Sequence, residues 1–286
     1  MKKGIDIGGT FIKVLWEDGK KEKHYIKDLK KDREALMEKI REVIKAGNPS
    51  GVGIAVAGFT SLNGIVYKSP NIPALDKTDF RKVLEDINIP FVVGNDVNLG
   101  AFGEWYYDYR DSKILLLVAV GTGLGTGLVY KGEVFFGVCG SALEMGHHTV
   151  KKGGELCNCG RKGCWEAYCS SYAIEREYKK LTGRTLKDYE IAEKAKEGEE
   201  EALKVVESFK DYLITGLMNG VHIFNPDRIV LAGGVIETFK EFLRDVPEKV
   251  KEISEELPAL CLKISFSRAG EFMGARGALA YALKYL

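Results

Sequence analysis

The sequence predicts an α/β protein built from two related halves, and three observations carry that reading. Short β-rich runs alternate with helical periodicity along the whole chain. A β run ends twice in Gly-Thr-rich backbone and then resumes, in GIDIGGTFIKVLW at 4–16 and in ILLLVAVGTGLGTGLVY at 114–130. The chain has 286 residues with 45% hydrophobic content, more than one core usually organises, so two domains facing one cleft are expected.

Strands are expected near 3–7, 12–16 and 23–27, followed by a helix over 32–46 whose Leu36, Ile40, Val43 and Ile44 recur at helical spacing. Val52 to Val56 and Phe91 to Val93 read as further strands, leading to Gly58 and to Asn95-Asp96. Between them Pro70, Pro73 and Pro90 limit regular structure, so 59–90 reads as irregular apart from a short helix near 79–87. The second half opens with a strand at 114–120, breaks at GTGLGTG and resumes as LVY at 128–130, a hairpin with a glycine-rich turn.

Residues 165–225 read as mainly helical. A long helix from Glu200 to Phe224 carries Leu203, Val206, Phe209, Leu213, Leu217 and Val221 on one face and stops at Pro226. The strand Arg228 to Ala232 runs into Gly233-Gly234, and a helix near 237–256, a strand near 261–266 and a helix near 271–285 complete the chain. The expected domains are 1–111, closed by the helix 271–286, and 112–270.

Lys plus Arg number 42 against 41 for Asp plus Glu, so no broad basic surface is implied and nucleic acid is disfavoured as a partner. MKKGIDIGG has no apolar leader and the longest aliphatic run, Ile114 to Val120, is seven residues, so a soluble, cytoplasmic protein with no membrane partner is expected. Six cysteines gathered largely around one cluster fit a reducing compartment better than a disulfide framework.

That cluster is the most specific chemistry in the chain. His147, Cys157, Cys159 and Cys164 place four soft donors in the pattern H-x9-C-x-C-x4-C, which reads as a closed tetrahedral zinc site. Four protein ligands leave no position for water, so the metal is read as a scaffold for its neighbours, Glu144 and Glu166. Spacing alone does not separate His147 from His148. Cys139, Cys169 and Cys261 are read as buried thiols outside the site.

Asp6-Ile7-Gly8-Gly9-Thr10 sets an acid, two glycines and a hydroxyl between β runs, an arrangement suited to phosphate and a hydrated cation, and Gly121 to Gly125 could meet the same polyphosphate. Neither is a P-loop or a dinucleotide fingerprint, and each also fits a simple hairpin turn. Asp96, in GNDVN after a hydrophobic strand, is the preferred general base, with Asn95 and Asn98 free either to orient ligand hydroxyls or to cap the next helix. Gly233-Gly234 fits close nucleotide approach and a tight turn equally. Phe11, Trp105, Tyr106 and Tyr107 are read as packing.

DIGGT at 6–10, GNDVN at 94–98, GTGLGTG at 121–127, LEMGHH at 143–148, CNCGRKGCWE at 157–166 and LAGGV at 231–235 together resemble the ROK family of sugar kinases and repressors, over nearly the entire chain. The resemblance implies a two-domain actin-like ATPase (ribonuclease H-like) fold with an interdomain active-site cleft, ATP and Mg2+, and a hexose substrate. It implies Asp96 as catalytic base, with Asn95, Glu144, His147 and Glu166 on the sugar. Asp6 would lie near magnesium, Gly8, Gly9, Thr10, Thr122 and Gly123 around phosphate, and Gly233 and Gly234 near adenosine. It also selects His147 over His148 for structural zinc and implies a homodimer or homotetramer.

Two positions depart from the family pattern. Ala57-Gly58-Phe59-Thr60-Ser61 replaces a P-G-x-V-D turn, and Val97 replaces the alanine of Asn-Asp-Ala-Asn. The expected activity is phosphorylation of glucose at the 6-hydroxyl. The alternatives are a kinase for fructose, mannose, allose, N-acetylglucosamine or N-acetylmannosamine, or a sugar-binding regulator. DIGGT at residue 6 leaves no room before it for a helix-turn-helix, which favours the enzyme.

Overall fold

A computed structural model describes residues 1–61 and 63–286. The first strands are β1 (Lys2–Ile7), β2 (Phe11–Trp16) and β3 (Lys21–Tyr25), followed by α1 (Arg33–Lys45) and β4 (Gly51–Val56). Asp32 caps α1 by accepting from the Ala35 amide, and Leu36, Ile40, Val43 and Ile44 are its buried face, as the spacing predicts. Three short strands follow, β5 (Phe59–Thr60), β6 (Ile65–Lys68) and β7 (Thr78–Asp79), then α2 (Phe80–Val83), β8 (Phe91–Asn95) and α3 (Asp96–Asp108).

The stretch read as irregular therefore contains a three-stranded sheet of order β5-β6-β7. Its strands are two to four residues long, below the length at which alternation becomes visible. α2 is shorter than the helix expected near 79–87; Asp79 starts it by accepting from the Arg81 amide.

The second half begins with β9 (Ile114–Val120), β10 (Leu124–Tyr130) and β11 (Glu133–Val134), and β10 starts four residues earlier than the run LVY. It continues with α4 (Ser171–Thr182), α5 (Asp188–Lys196), α6 (Glu200–Phe224), β12 (Arg228–Ala232), α7 (Gly234–Phe239), α8 (Val246–Ile253), α9 (Glu256–Leu260) and β13 (Lys263–Phe266). The last helix is α10 (Met273–Tyr285).

The helix expected over 237–256 is broken. A short 3-10 turn at Lys240–Leu243 separates α7 from α8, and Pro247 sits in the first turn of α8, where its missing N–H costs nothing. α6 has the expected bounds and ends on Asn225 in the left-handed region, φ 44°. Its buried seam runs through Ala202, Val205, Val206, Phe209, Leu213, Leu217 and Val221, while Leu203 is 41% exposed and lies off it.

The two five-stranded sheets repeat one topology. Their orders are β3-β2-β1-β4-β8 and β11-β10-β9-β12-β13, and in each the first strand of the repeat is the central one. β1 runs parallel to β4 and β4 to β8; β9 runs parallel to β12 and β12 to β13. The echo between GIDIGGTFIKVLW and the 114–130 segment is the sequence trace of this repeat.

The chain divides into two compact units, residues 1–111, 127–142 and 271–286 in the first and 112–126 and 143–270 in the second. Residues 127–142, expected in the second domain, thus belong to the first. There Lys284 donates to the Gly132 carbonyl and pairs with Glu133, and the Phe136 ring meets Tyr281 edge-on. α10 seats directly on the first sheet: a Cβ at Gly4 would run into the Ala275 carbonyl, and one at Gly53 into the Ala278 carbonyl. Of the three cysteines outside the metal cluster only Cys169 is buried; Cys139 and Cys261 are exposed, against expectation, because they lie in a surface turn and at the end of α9. No described helix is long and apolar enough to cross a membrane.

Candidate active site

In the first unit, β8 delivers Asn95 and Asp96 to the start of α3. Asn95 is the helix N-cap: its side-chain oxygen accepts from the amides of Val97 and Asn98, both at 3.0 Å. Its Nδ2 donates to the Gly58 carbonyl and to Asp96 Oδ1, again at 3.0 Å each. Both ends of the amide are thus engaged within the protein, and Asn98 is buried with its backbone serving the same cap. Asp96 stands in the first turn of α3.

Asp6 is the penultimate residue of β1, and its register partner across the ladder is Lys13. Burial pushes the Asp6 carboxyl up to about 6, with Lys13 acting in the opposite direction. The backbone must pass close by: a Cβ at Gly274 would lie 2.7 Å from the Asp6 carboxyl carbon. Gly8 donates to the Phe11 carbonyl at 3.1 Å, forming the turn that holds Gly9 and the exposed Thr10.

In the second unit, the turn between β9 and β10 is closed by the Gly121 amide on the Gly123 carbonyl, 2.9 Å, and leaves Thr122 exposed. Glu166 Oε2 accepts from the Leu124 amide at 2.9 Å, and a Cβ at Gly123 would lie 2.5 Å from that same oxygen. Glu144 keeps solvent contact, yet the protein around it and, second, the Glu166 carboxylate push its carboxyl above the ordinary value.

Gly233 and Gly234 separate into two roles. Gly233 has φ +99° and its missing side chain would strike the Val120 carbonyl, so the turn itself demands glycine. Gly234 opens α7 with free space where its side chain would be, which leaves the helix N-terminus accessible.

His147, Cys157, Cys159 and Cys164 converge, with their donor atoms all within 4.8 Å of one another. Cys159 and Cys164 sulfurs are 3.6 Å apart, and Cys157 Sγ lies 3.7 Å from His147 Nδ1. Zinc–sulfur bonds of about 2.3 Å at tetrahedral angles require sulfurs roughly 3.8 Å apart, so the donor set fits zinc. Gly160 and Gly163, both at positive φ, let the knuckle turn twice within seven residues. Burial acts to raise the Cys159 thiol, but hydrogen bonds from Arg161 and the neighbouring thiols prevail and bring it to about 7.

His148 is excluded by its own contacts. Its Nδ1 meets the Met145 carbonyl, its Nε2 meets Asn219 Nδ2 at 3.0 Å, and its ring packs edge-on against Trp165. Sequence reading missed Tyr172, whose hydroxyl lies 3.4 Å from Glu166 Oε1 and 3.8 Å from Cys157 Sγ. It also missed Lys13. A β1–β2 register would have revealed Lys13; nothing in the sequence marks Tyr172.

The described site residues thus form two groups, one in each unit: Asp6, Gly8, Gly9, Thr10, Asn95 and Asp96, and Thr122, Gly123, Glu144, His147, Glu166, Gly233 and Gly234. The chain is 32% identical over 277 residues to a glucokinase of Halalkalibacterium halodurans, covering 86% of this chain and 83% of that protein. It is 27% identical to a xylose repressor of Bacillus spizizenii, covering 86% of this chain and 67% of the repressor. The structure of a Streptomyces griseus ROK glucokinase in complex with glucose and AMPPNP superposes with a TM-score of 0.82 at 25% identity, covering 99% of each chain. The ROK family profile matches residues 2–285, and the chain, with the two-domain actin-like ATPase fold of that family, belongs to the ROK family.

Proposed function

We propose that the protein is an ATP-dependent hexose kinase that phosphorylates glucose at the 6-hydroxyl. The observation that carries the reading is Asp96 at the first turn of α3, held through Asn95, in a chain similar to a glucokinase over most of its length. Asp96 would accept the hydroxyl proton as the sugar oxygen attacks the γ-phosphoryl group. The Asn95 amide would orient the carboxylate, and the same side chain is also proposed as a sugar contact.

Glu144, His147 Nε2 and Glu166 Oε1 are the groups proposed for the sugar hydroxyls. Metal on His147 Nδ1 leaves Nε2 as the remaining ring nitrogen. Zinc supplies rigidity to that set. Asp6, a carboxyl that burial holds near 6, is the residue that would hold Mg2+, and a cation there would offset both its charge and that of the triphosphate. Gly121 to Gly123 and the open N-terminus at Gly234 are proposed for the nucleotide.

The test is ATP-to-ADP conversion by zinc-replete protein with magnesium across glucose, fructose, mannose, allose, N-acetylglucosamine and N-acetylmannosamine, with detection of the phosphosugar. Glucose 6-phosphate as the main product supports the proposal, and a different phosphosugar moves the specificity while keeping Asp96 as base. Sugar binding with no turnover on any of them would sink the kinase reading and favour a regulator, the activity carried by the repressor relative.

A further inference from the structure

Glu166 stands where the glycine-rich turn and the cysteine knuckle meet. One carboxylate oxygen accepts from the Leu124 amide at 2.9 Å and fills the space a side chain at Gly123 would need. The other lies 3.5 Å from Cys157 Sγ and 3.4 Å from the Tyr172 hydroxyl. Tyr172, from the first turn of α4, in turn lies 3.8 Å from Cys157 Sγ. The Gly121 carbonyl accepts from the Ser171 amide at 2.9 Å, so the residue before Tyr172 is tied to the same turn.

We propose that Glu166 is a strut, braced by Tyr172, that couples the knuckle to the Gly121–Gly125 turn, so that zinc and a phosphate-bearing ligand raise each other's affinity. The phosphate half of this statement rests on the kinase reading above.

The physical case is one of space. Ligation by His147, Cys157, Cys159 and Cys164 would fix the knuckle, and Glu166, two residues after Cys164 and 3.5 Å from Cys157 Sγ, would be fixed with it. The same carboxylate reaches Leu124 and fills the space beside Gly123, so the position of the knuckle and that of the turn are set by one side chain. Tight contact at Gly123 leaves no slack in the transmission. Coupling of this kind is reciprocal by thermodynamic necessity.

Zinc affinity is the readout, measured by competition with a chromophoric chelator on the full chain. Gly123→Ala lies outside the knuckle, yet it should push Glu166 aside and weaken zinc binding roughly tenfold, the usual cost of disturbing an outer partner of a metal site. Tyr172→Phe, which keeps the ring and removes only the hydroxyl, should weaken it in the same direction. Wild-type zinc affinity in a Gly123→Ala protein with native circular dichroism overturns the strut. If Gly123→Ala fails to fold, wild-type affinity in Tyr172→Phe does so.

A saturating non-hydrolysable ATP analogue should tighten zinc roughly fivefold or more in the wild type and not in Tyr172→Phe. Saturable analogue binding with unchanged zinc affinity overturns the coupling and leaves the kinase reading standing. No saturable analogue binding overturns both.

Discussion

The Asn95 side-chain nitrogen lies 3.0 Å from Asp96 Oδ1 while the oxygen of the same amide caps α3, so the start of the helix and the aim of its first carboxylate are set by one side chain. Asp96→Asn should lower kcat by roughly 10²- to 10⁴-fold with little change in the sugar dissociation constant. Asn95→Ala should cost about 1 kcal/mol of stability and also lower kcat, since the cap and the orienting bond vanish together. Steady-state kinetics with a sugar-binding titration checks both; an unchanged kcat in Asp96→Asn removes the residue from the base role.

The two adjacent histidines should respond oppositely. His147→Ala and Cys159→Ser are expected to lose zinc by elemental analysis and to lower the melting temperature by roughly 5 °C or more. His148→Ala should retain the metal and lose about 1–3 kcal/mol, because Asn219 and the Met145 carbonyl lose their partner. Zinc loss in His148→Ala alone would reverse the assignment.

Asp6 makes stability depend on pH in a defined window. Its folded value of about 6 lies above the ordinary 3.8, so the folded state holds the proton more tightly. Stability from this group is therefore full below pH 3.8, falls as pH rises from 3.8 to about 6, and is gone above that. The penalty at neutral pH is on the order of 3 kcal/mol in metal-free protein. Asp6→Asn should melt higher than wild type at pH 8 without magnesium, and the gap should close near pH 4. A gap that persists at pH 4 would mean the asparagine acts through something other than charge.

Gly233 and Gly234 are adjacent but not equivalent. Gly233→Ala should destabilise by roughly 2–4 kcal/mol, combining a positive φ with a clash on the Val120 carbonyl. Gly234→Ala has open space and should leave the denaturation midpoint nearly unchanged while raising the KM for ATP. Equal effects of the two on stability would contradict the division of roles.

The parts of the fold legible in the sequence were those with length and period: α1, α6 and the two hydrophobic strands whose loops end in Gly-Thr. The sheet β5-β6-β7 was invisible because two-residue strands carry no pattern, and Leu203 was misplaced because an extra apolar residue on a 25-residue helix does not announce its face. The three cysteines of the candidate metal cluster were readable from local spacing, while the choice of His147 over His148 came from the family resemblance. Of the two readings open to Asn95 the structure shows the cap, and what spacing could not reveal was Gly123 making room for Glu166, an approach between residues 43 positions apart in the chain.

The close seat of α10 on β1 and β4 has a consequence for synthesis. Strands laid down at the start of translation stay uncovered on that face until residues 273–285 leave the ribosome, at about 5–20 residues per second. For many seconds the nascent first unit is a sheet without its lid, and a product cut short by a few turns of helix would keep that apolar face in view of the cell's quality-control proteases.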